Sequence, residues 1–227
     1  MLTNRFTQLL ISLVALFVLA PFILQVEMKF PLVSLLFLMV VLLTLRTLKL
    51  RRILFTIITV LAFGAFVFEC LITFDLLESH KTLISIVTLS SFAIFIGISI
   101  LLMIHDLFSE QFVNSDSIRG GISIYLLIGI FWAILYQLIM VLDPSAFVLT
   151  AGKLIGDVRY MLFYYSFTTL TTLAYGDILP ANEPARILSA LEGMAGVLFL
   201  TIFVAQLVNL HVFHKSSRLK PPESLEK

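Results

Sequence analysis

The sequence predicts an all-α membrane protein: six transmembrane helices, with a short re-entrant helix and a loop between the fifth and the sixth. Three observations predict it. First, 60% of the 227 residues are hydrophobic and only 13% are charged, whereas soluble chains carry roughly 25% charged residues; the mean hydropathy is +1.08. Second, the charges sit in short clusters between apolar runs long enough to cross about 30 Å of hydrocarbon. Third, the stretch "YYSFTTLTTLAYGDILP", Tyr164 to Pro180, sets threonines, a glycine, an aspartate and a proline between two such runs.

At 1.5 Å per residue, a span needs about 20 apolar residues. The candidates are about 6–26, 31–47, 53–75, 83–104, 122–142 and 187–212. The first run exceeds a signal-peptide core of about 7–15 residues and has no clear small-x-small cleavage site, so it is expected to be a true span, kinked near Pro21. The second is the shortest. The fourth, "LISIVTLSSFAIFIGISILLMI", contains no Arg or Lys. A semi-apolar stretch at about 158–171 is too short to cross and runs straight into the threonines, the pattern of a re-entrant helix.

Four N-terminal helices, residues 1–105, are followed by a polar linker at 106–121, within "HDLFSEQFVNSDSIRGG". The Gly120-Gly121 pair is expected to break helix continuity there, so that the fifth span starts afresh. Residues 122–214 form the helix, re-entrant loop and final helix, and 215–227 a short tail. Basic residues orient the chain. With both termini cytoplasmic, Arg5, Arg46, Lys49, Arg51, Arg52, Arg119, Lys215, Arg218, Lys220 and Lys227 fall inside. Lys29, Lys81, Lys153, Arg159 and Arg186 fall outside.

Several functions are disfavoured. The net charge of +1 comes without a basic patch for nucleic acid. A single cysteine, Cys70, permits neither an intrachain disulfide nor a cysteine metal site. His80, His105, His211 and His214 show no ligand spacing, and no nucleophile–base pair marks an enzyme or calls for a cofactor. A secondary transporter would show paired repeats, and none is evident. Glu69 and Asp75 are expected at the wet outer interface, and Trp132 and Tyr136 read as packing residues.

Non-helical backbone at membrane depth is tolerated only where it is buried in protein or lines a watery cavity. Gly176, Asp177 and Pro180 oppose helix after Thr172, and one good reason for such backbone is to aim carbonyl oxygens at a dehydrated cation. "TTLAYGD" resembles the selectivity-filter signature of potassium channels, TVGYG. The last helix, "ARILSALEGMAGVLFLTIFVAQLV", is similar to the inner helix of prokaryotic members of that superfamily, so the resemblance covers roughly the last hundred residues.

The resemblance implies a pore domain at 122–214 and a homotetramer around one axial pore, in a prokaryotic plasma (inner) membrane, with potassium as permeant ligand and no other cofactor. Thr172, Leu173, Ala174 and Tyr175 would bind the ion through backbone carbonyls, with the Thr172 hydroxyl added. Gly176 would make the outer turn and Asp177 would stand at the extracellular mouth. Thr171, Tyr164, Tyr165, Glu192 and Gly196 become candidates for filter support or gating. The Tyr175 ring would pack on Phe163, Tyr164, Tyr165 and Phe167.

Two departures bear on function. Ala174 stands where the family has glycine; an L-residue in the left-handed conformation costs about 1–2 kcal/mol, which favours a nonselective or weakly conducting pore as the alternative, or a non-conducting scaffold or sensor. The fourth span lacks the basic residues that sense voltage, each of which is worth about 2.3 kcal/mol per 100 mV. Glu192 lies about six residues, roughly 9 Å, inside the last span. It either bonds the re-entrant helix behind the filter or is solvated near the headgroups. Gly193 and Gly196 permit close helix packing or a bend.

Overall fold

The computed structural model describes residues 5–25, 32–47, 81–109, 115–150 and 158–219, together with positions 56, 59–60, 62–64 and 66–67. Among the described residues, six continuous helices and two short strands follow one another: α1 Arg5–Gln25, α2 Leu32–Thr47, α3 Lys81–Phe108, α4 Ser115–Leu142, β1 Phe147–Leu149, α5 Val158–Leu170, β2 Ile178–Pro180 and α6 Glu183–Leu219. Among the described residues three helical stretches are long and apolar enough to cross a membrane: Thr82–Phe108, Ser115–Leu142 and Glu183–Asn209. Shorter apolar stretches, Phe6–Leu19 and Leu38–Thr47, belong to α1 and α2.

The third apolar segment, expected at 53–75, is helical at each of its described positions. Its Ala62 and Phe66 pack against Leu38, Val41 and Leu45 of α2. Glu69, Cys70, Asp75 and His80 lie outside the described residues.

Helix α4 is the hub. It packs against α1, α3, α5 and α6. Leu9, Leu13 and Leu16 of α1 recur at three and four residues, share a face, and meet Ile96, Ile100 and Met103 of α3 and Ile124 and Leu127 of α4 in one buried cluster. The outward residues are equally greasy: Val14 and Val18 of α1, and Ile94, Ile98 and Leu101 of α3, are exposed. A helix apolar all round has lipid as its natural solvent. Two buried serines are satisfied inside their own helices, Ser12 donating to the Leu9 carbonyl at 2.8 Å and Ser99 to the Phe95 carbonyl at 2.8 Å.

One boundary differs from the sequence reading. Gly120 and Gly121 lie inside α4, five and six residues past its start at Ser115, and both are buried. They do not break the helix. Instead they let neighbours come close: a Cβ on Gly121 would stand 2.0 Å from the Phe203 ring of α6, and one on Gly120 3.4 Å from the Phe6 ring of α1. Tertiary packing outweighs the roughly 1 kcal/mol helix penalty of each glycine.

Helix α5 has 13 residues, about 20 Å, and is wedged between α4 and α6. Strands β1 and β2 pair antiparallel, Val148 opposite Leu179, and so bring the chain on either side of α5 together. Helix α6 is capped by Asn182, whose side-chain oxygen accepts from the Ala185 amide at 2.9 Å. The Asn182 amide donates to Asp143 at 2.7 Å, which ties the end of α4 to the start of α6.

Candidate functional site

The loop after α5 is built by turning its amides back into the helix. The Thr171 amide donates to the Phe167 carbonyl at 3.1 Å and the Thr172 amide to Thr169 at 2.9 Å. The Leu173 and Ala174 amides both donate to the Thr168 carbonyl, at 2.8 and 3.1 Å. These bonds satisfy carbonyls that a helix C-terminus leaves orphaned. They also fix which way the loop faces. Among the described residues no donor reaches the carbonyls of Thr172, Leu173, Ala174 or Tyr175.

The backbone alternates in hand along this strand. Thr172, Ala174 and Gly176 have φ of 57°, 41° and 77°, and Leu173 and Tyr175 between them do not have positive φ. Alternation of left- and right-handed residues turns successive carbonyls toward one side of a strand. A carbonyl row of that kind offers oxygen ligands to a hard cation. Two of the three left-handed residues carry a Cβ, so the loop stores strain of about 1–2 kcal/mol at each; strain of this size persists where the surroundings over-determine the backbone.

The far end of the loop, at Gly176 and Asp177, is held by side chains. Thr150, just after β1, donates its hydroxyl to the Gly176 carbonyl at 2.5 Å and its amide to the Asp177 carbonyl at 3.0 Å. Tyr164 on α5 donates to Asp177 Oδ2 at 2.9 Å, while Asp177 Oδ1 accepts from the Ile178 amide at 3.1 Å. The carboxylate is thereby turned toward α5.

The Tyr175 ring stacks parallel to Tyr164 with centroids 6.4 Å apart and remains 66% exposed. The wider aromatic cushion expected around it is otherwise engaged. Phe163 and Phe167 meet Phe17 of α1, at 5.5 and 5.0 Å between centroids. Tyr165 packs against Tyr136 and Phe147 at 5.2 Å each. The rings of α5 therefore bind the short helix to α1, α4 and β1, and only Tyr164 serves Tyr175.

Behind the loop, Glu192 of α6 is fully buried. Tyr136 of α4 donates to its Oε2 at 2.5 Å, and Ser166 of α5 contacts its Oε1 at 2.5 Å. The acid is thus buried between α4 and α5 rather than exposed. Tyr136 is more than the packing residue its sequence context suggested. Tyr165 bonds Ser189 of α6 at 2.7 Å. Gly196 supports the loop differently: a Cβ there would lie 2.3 Å from the Leu170 carbonyl, so the last turn of α5 rests directly on α6. Tyr125 reaches the same carbonyl at 3.3 Å. The Thr171 hydroxyl bonds back to the Phe167 carbonyl of α5 at 2.7 Å.

Sequence reasoning missed Thr150, Ser166 and the Asp143–Asn182 link. Ser166 had a visible signal, being the lone serine among the aromatics of a short apolar helix. Thr150 had none. The Asp143 carboxyl is held below the usual aspartate range by the Ser145 hydroxyl first, then by the Asn182 amide and the Ser145 N–H. Among the described residues no cluster of His, Cys, Asp or Glu is suited to a metal ion.

No curated protein and no solved structure matches the chain in sequence or structure searches. Residues 122–212, from early in α4 to within α6, match the profile of a protein family described as "Ion channel". That family is not one of enzymes, and its match over the segment that contains α5, the alternating loop and α6 supports an ion channel function for this membrane protein.

Proposed function

We propose that the protein is a tetrameric, potassium-channel-like cation channel in which Thr172, Leu173, Ala174 and Tyr175 bind the permeant ion through backbone carbonyls. The observation that carries this reading is the alternation of backbone hand at Thr172, Ala174 and Gly176, combined with carbonyls that no described donor occupies. One chain supplies one row of oxygens, and an ion stripped of water needs a ring of them, as in the fourfold filters of potassium channels. Leu173 and Tyr175 side chains, exposed in the single chain, are the surfaces that neighbouring copies cover. The negative end of the α5 dipole adds about half an elementary charge in favour of a cation.

Conduction is passive and is not driven by a charged fourth helix. Within its membrane stretch α3 has no Arg or Lys after Lys81, so its displacement moves no gating charge. The two ends of the proposed filter are held by Thr150 and Tyr164 outside and by Gly196 and Glu192 behind.

A second reading, a nonselective or weakly conducting pore, is favoured by the φ of 41° at Ala174. Four such residues around an axis strain the ring by roughly 4–8 kcal/mol. Purified protein in liposomes separates the two. Potassium flux well above sodium flux, strengthened further by Ala174→Gly, supports the first; equal fluxes that Ala174→Gly makes unequal support the second. Absence of flux from wild type and from Ala174→Gly across pH and voltage leaves a non-conducting scaffold and ends both.

A further inference from the structure

The hydroxyl hydrogens behind the loop can be counted. Ser189 donates to the Ala185 carbonyl at 2.7 Å, so in the 2.7 Å contact between Tyr165 and Ser189 the tyrosine is the donor. Tyr136 spends its one hydrogen on Glu192 Oε2. Ser166 has one hydrogen and two oxygen neighbours: the Gly129 carbonyl of α4 at 2.7 Å and Glu192 Oε1 at 2.5 Å. A carbonyl has no hydrogen to give. The Ser166 hydrogen therefore goes to Gly129, and the hydrogen between Ser166 and Glu192 must come from Glu192.

We propose that Glu192 is a positioning residue that works as a neutral carboxylic acid, donating its proton to Ser166 and so clamping α5 between α4 and α6 behind the ion pathway. The alternative, a carboxylate, leaves Ser166 and Gly129 with two oxygens in contact and no hydrogen between them. It also buries a charge that has no counter-ion, which is costly. The groups facing Glu192 are all uncharged: Tyr136 and Tyr125 from α4, and Ser166 and Tyr165 from α5. No described cation acts on it. Tyr136, Glu192, Ser166 and Gly129 then form one directed chain, and each of its oxygens has a partner.

The inference bears on conduction only if the channel reading above holds, but the proton itself is read without conduction. Infrared difference spectra of the whole protein in lipid, wild type minus Glu192→Gln at neutral pH, are expected to contain the C=O stretch of a protonated carboxylic acid. Ser166→Ala is expected to shift that band, because it removes the acceptor. Thermal unfolding gives an independent readout. The unfolded chain releases this proton near pH 4 and the folded chain retains it. Unfolding then releases a proton, so stability falls as pH rises, by about tenfold in the unfolding equilibrium per pH unit between about 5 and 7. Glu192→Gln, which can accept from Tyr136 and donate to Ser166, lacks this dependence, and the difference between the two proteins isolates it from other titrating groups.

In liposomes, wild-type cation flux is expected to decline at alkaline pH in step with loss of the band, whereas the Glu192→Gln flux profile stays flat over that range. Absence of the band, or a wild-type and Gln variant whose stabilities change with pH in parallel, overturns the proposal. Absence of cation flux at every pH, with the band present, counts against the channel reading and leaves the protonated clamp standing.

Discussion

The Thr150 hydroxyl donates to the Gly176 carbonyl at 2.5 Å across 26 residues of sequence, so the loop that precedes α5 fixes the outer end of the loop that follows it. Thr150→Val keeps the shape and removes the donor. The expected loss is about 0.5–1.5 kcal/mol per chain, read as a lowered thermal midpoint, together with a changed potassium-to-sodium flux ratio. A variant equal to wild type in both measurements shows that Gly176 needs no such anchor.

The two glycines of α6 separate by geometry. A Cβ on Gly196 meets backbone, 2.3 Å from the Leu170 carbonyl, while one on Gly193 stands 3.9 Å from the Thr169 carbonyl. Gly196→Ala is expected to destabilise by about 1–3 kcal/mol, because a carbonyl cannot move aside as a side chain can. Gly193→Ala is expected to be neutral or stabilising by up to about 1 kcal/mol through helix propensity. Thermal unfolding in detergent or lipid checks both, and equal behaviour of the two variants contradicts the packing described.

Ala174 holds φ at 41°. Ala174→Gly relieves a left-handed L-residue worth about 1–2 kcal/mol, less what the freer unfolded chain takes back. The expected outcome is a small rise in stability and a larger rise in potassium selectivity. Ala174→Val, which adds a branched Cβ at the same φ, is expected to fall in both.

Asp143 sets a pH dependence where the end of α4 meets the start of α6. Its carboxyl is held below the usual range, chiefly by the Ser145 hydroxyl and then by the Asn182 amide. A depressed acid contributes stability above its ordinary value of about 4 and loses it as pH falls through the lowered one. Wild type is therefore expected to lose more thermal stability than Asp143→Asn between pH 5 and pH 3. The group is partly open to solvent, so the difference is small and shrinks further in high salt.

Tyr136→Phe removes the donor to Glu192 Oε2 and leaves a buried oxygen without its partner. The expected cost is about 1–3 kcal/mol, larger than for Trp132→Phe, which packs against apolar side chains and the Phe131 and Tyr136 rings.

Different parts of the fold were legible to different degrees. The α5–loop–α6 segment stood out because its signals are local: a short aromatic run, consecutive threonines, then Gly176, Asp177 and Pro180 within a few residues. The Gly120-Gly121 pair misled because glycine lowers helix propensity and also permits close approach, and only the neighbouring Phe203 and Phe6 rings decide between the two. Glu192 was visible as an acid in an apolar helix, but its partners Tyr136 and Ser166 lie 56 and 26 residues away. No periodicity carries such distances.

By itself the sequence determined that the chain is a membrane protein and that an irregular segment separates its last two long apolar runs, since hydrocarbon penalises backbone whose polar groups are not paired internally. It also determined that α3 has no Arg or Lys after Lys81. Tertiary structure alone decided which way the loop faces and what holds it. The orientation rests on amides returning to Thr168 and Thr169, on Thr150 reaching Gly176, and on Glu192 filling the space between α4, α5 and α6. The physical reason is that burial in lipid is a property of composition, whereas each hydrogen bond needs a donor and an acceptor within about 3 Å, and that distance exists only after the helices have packed.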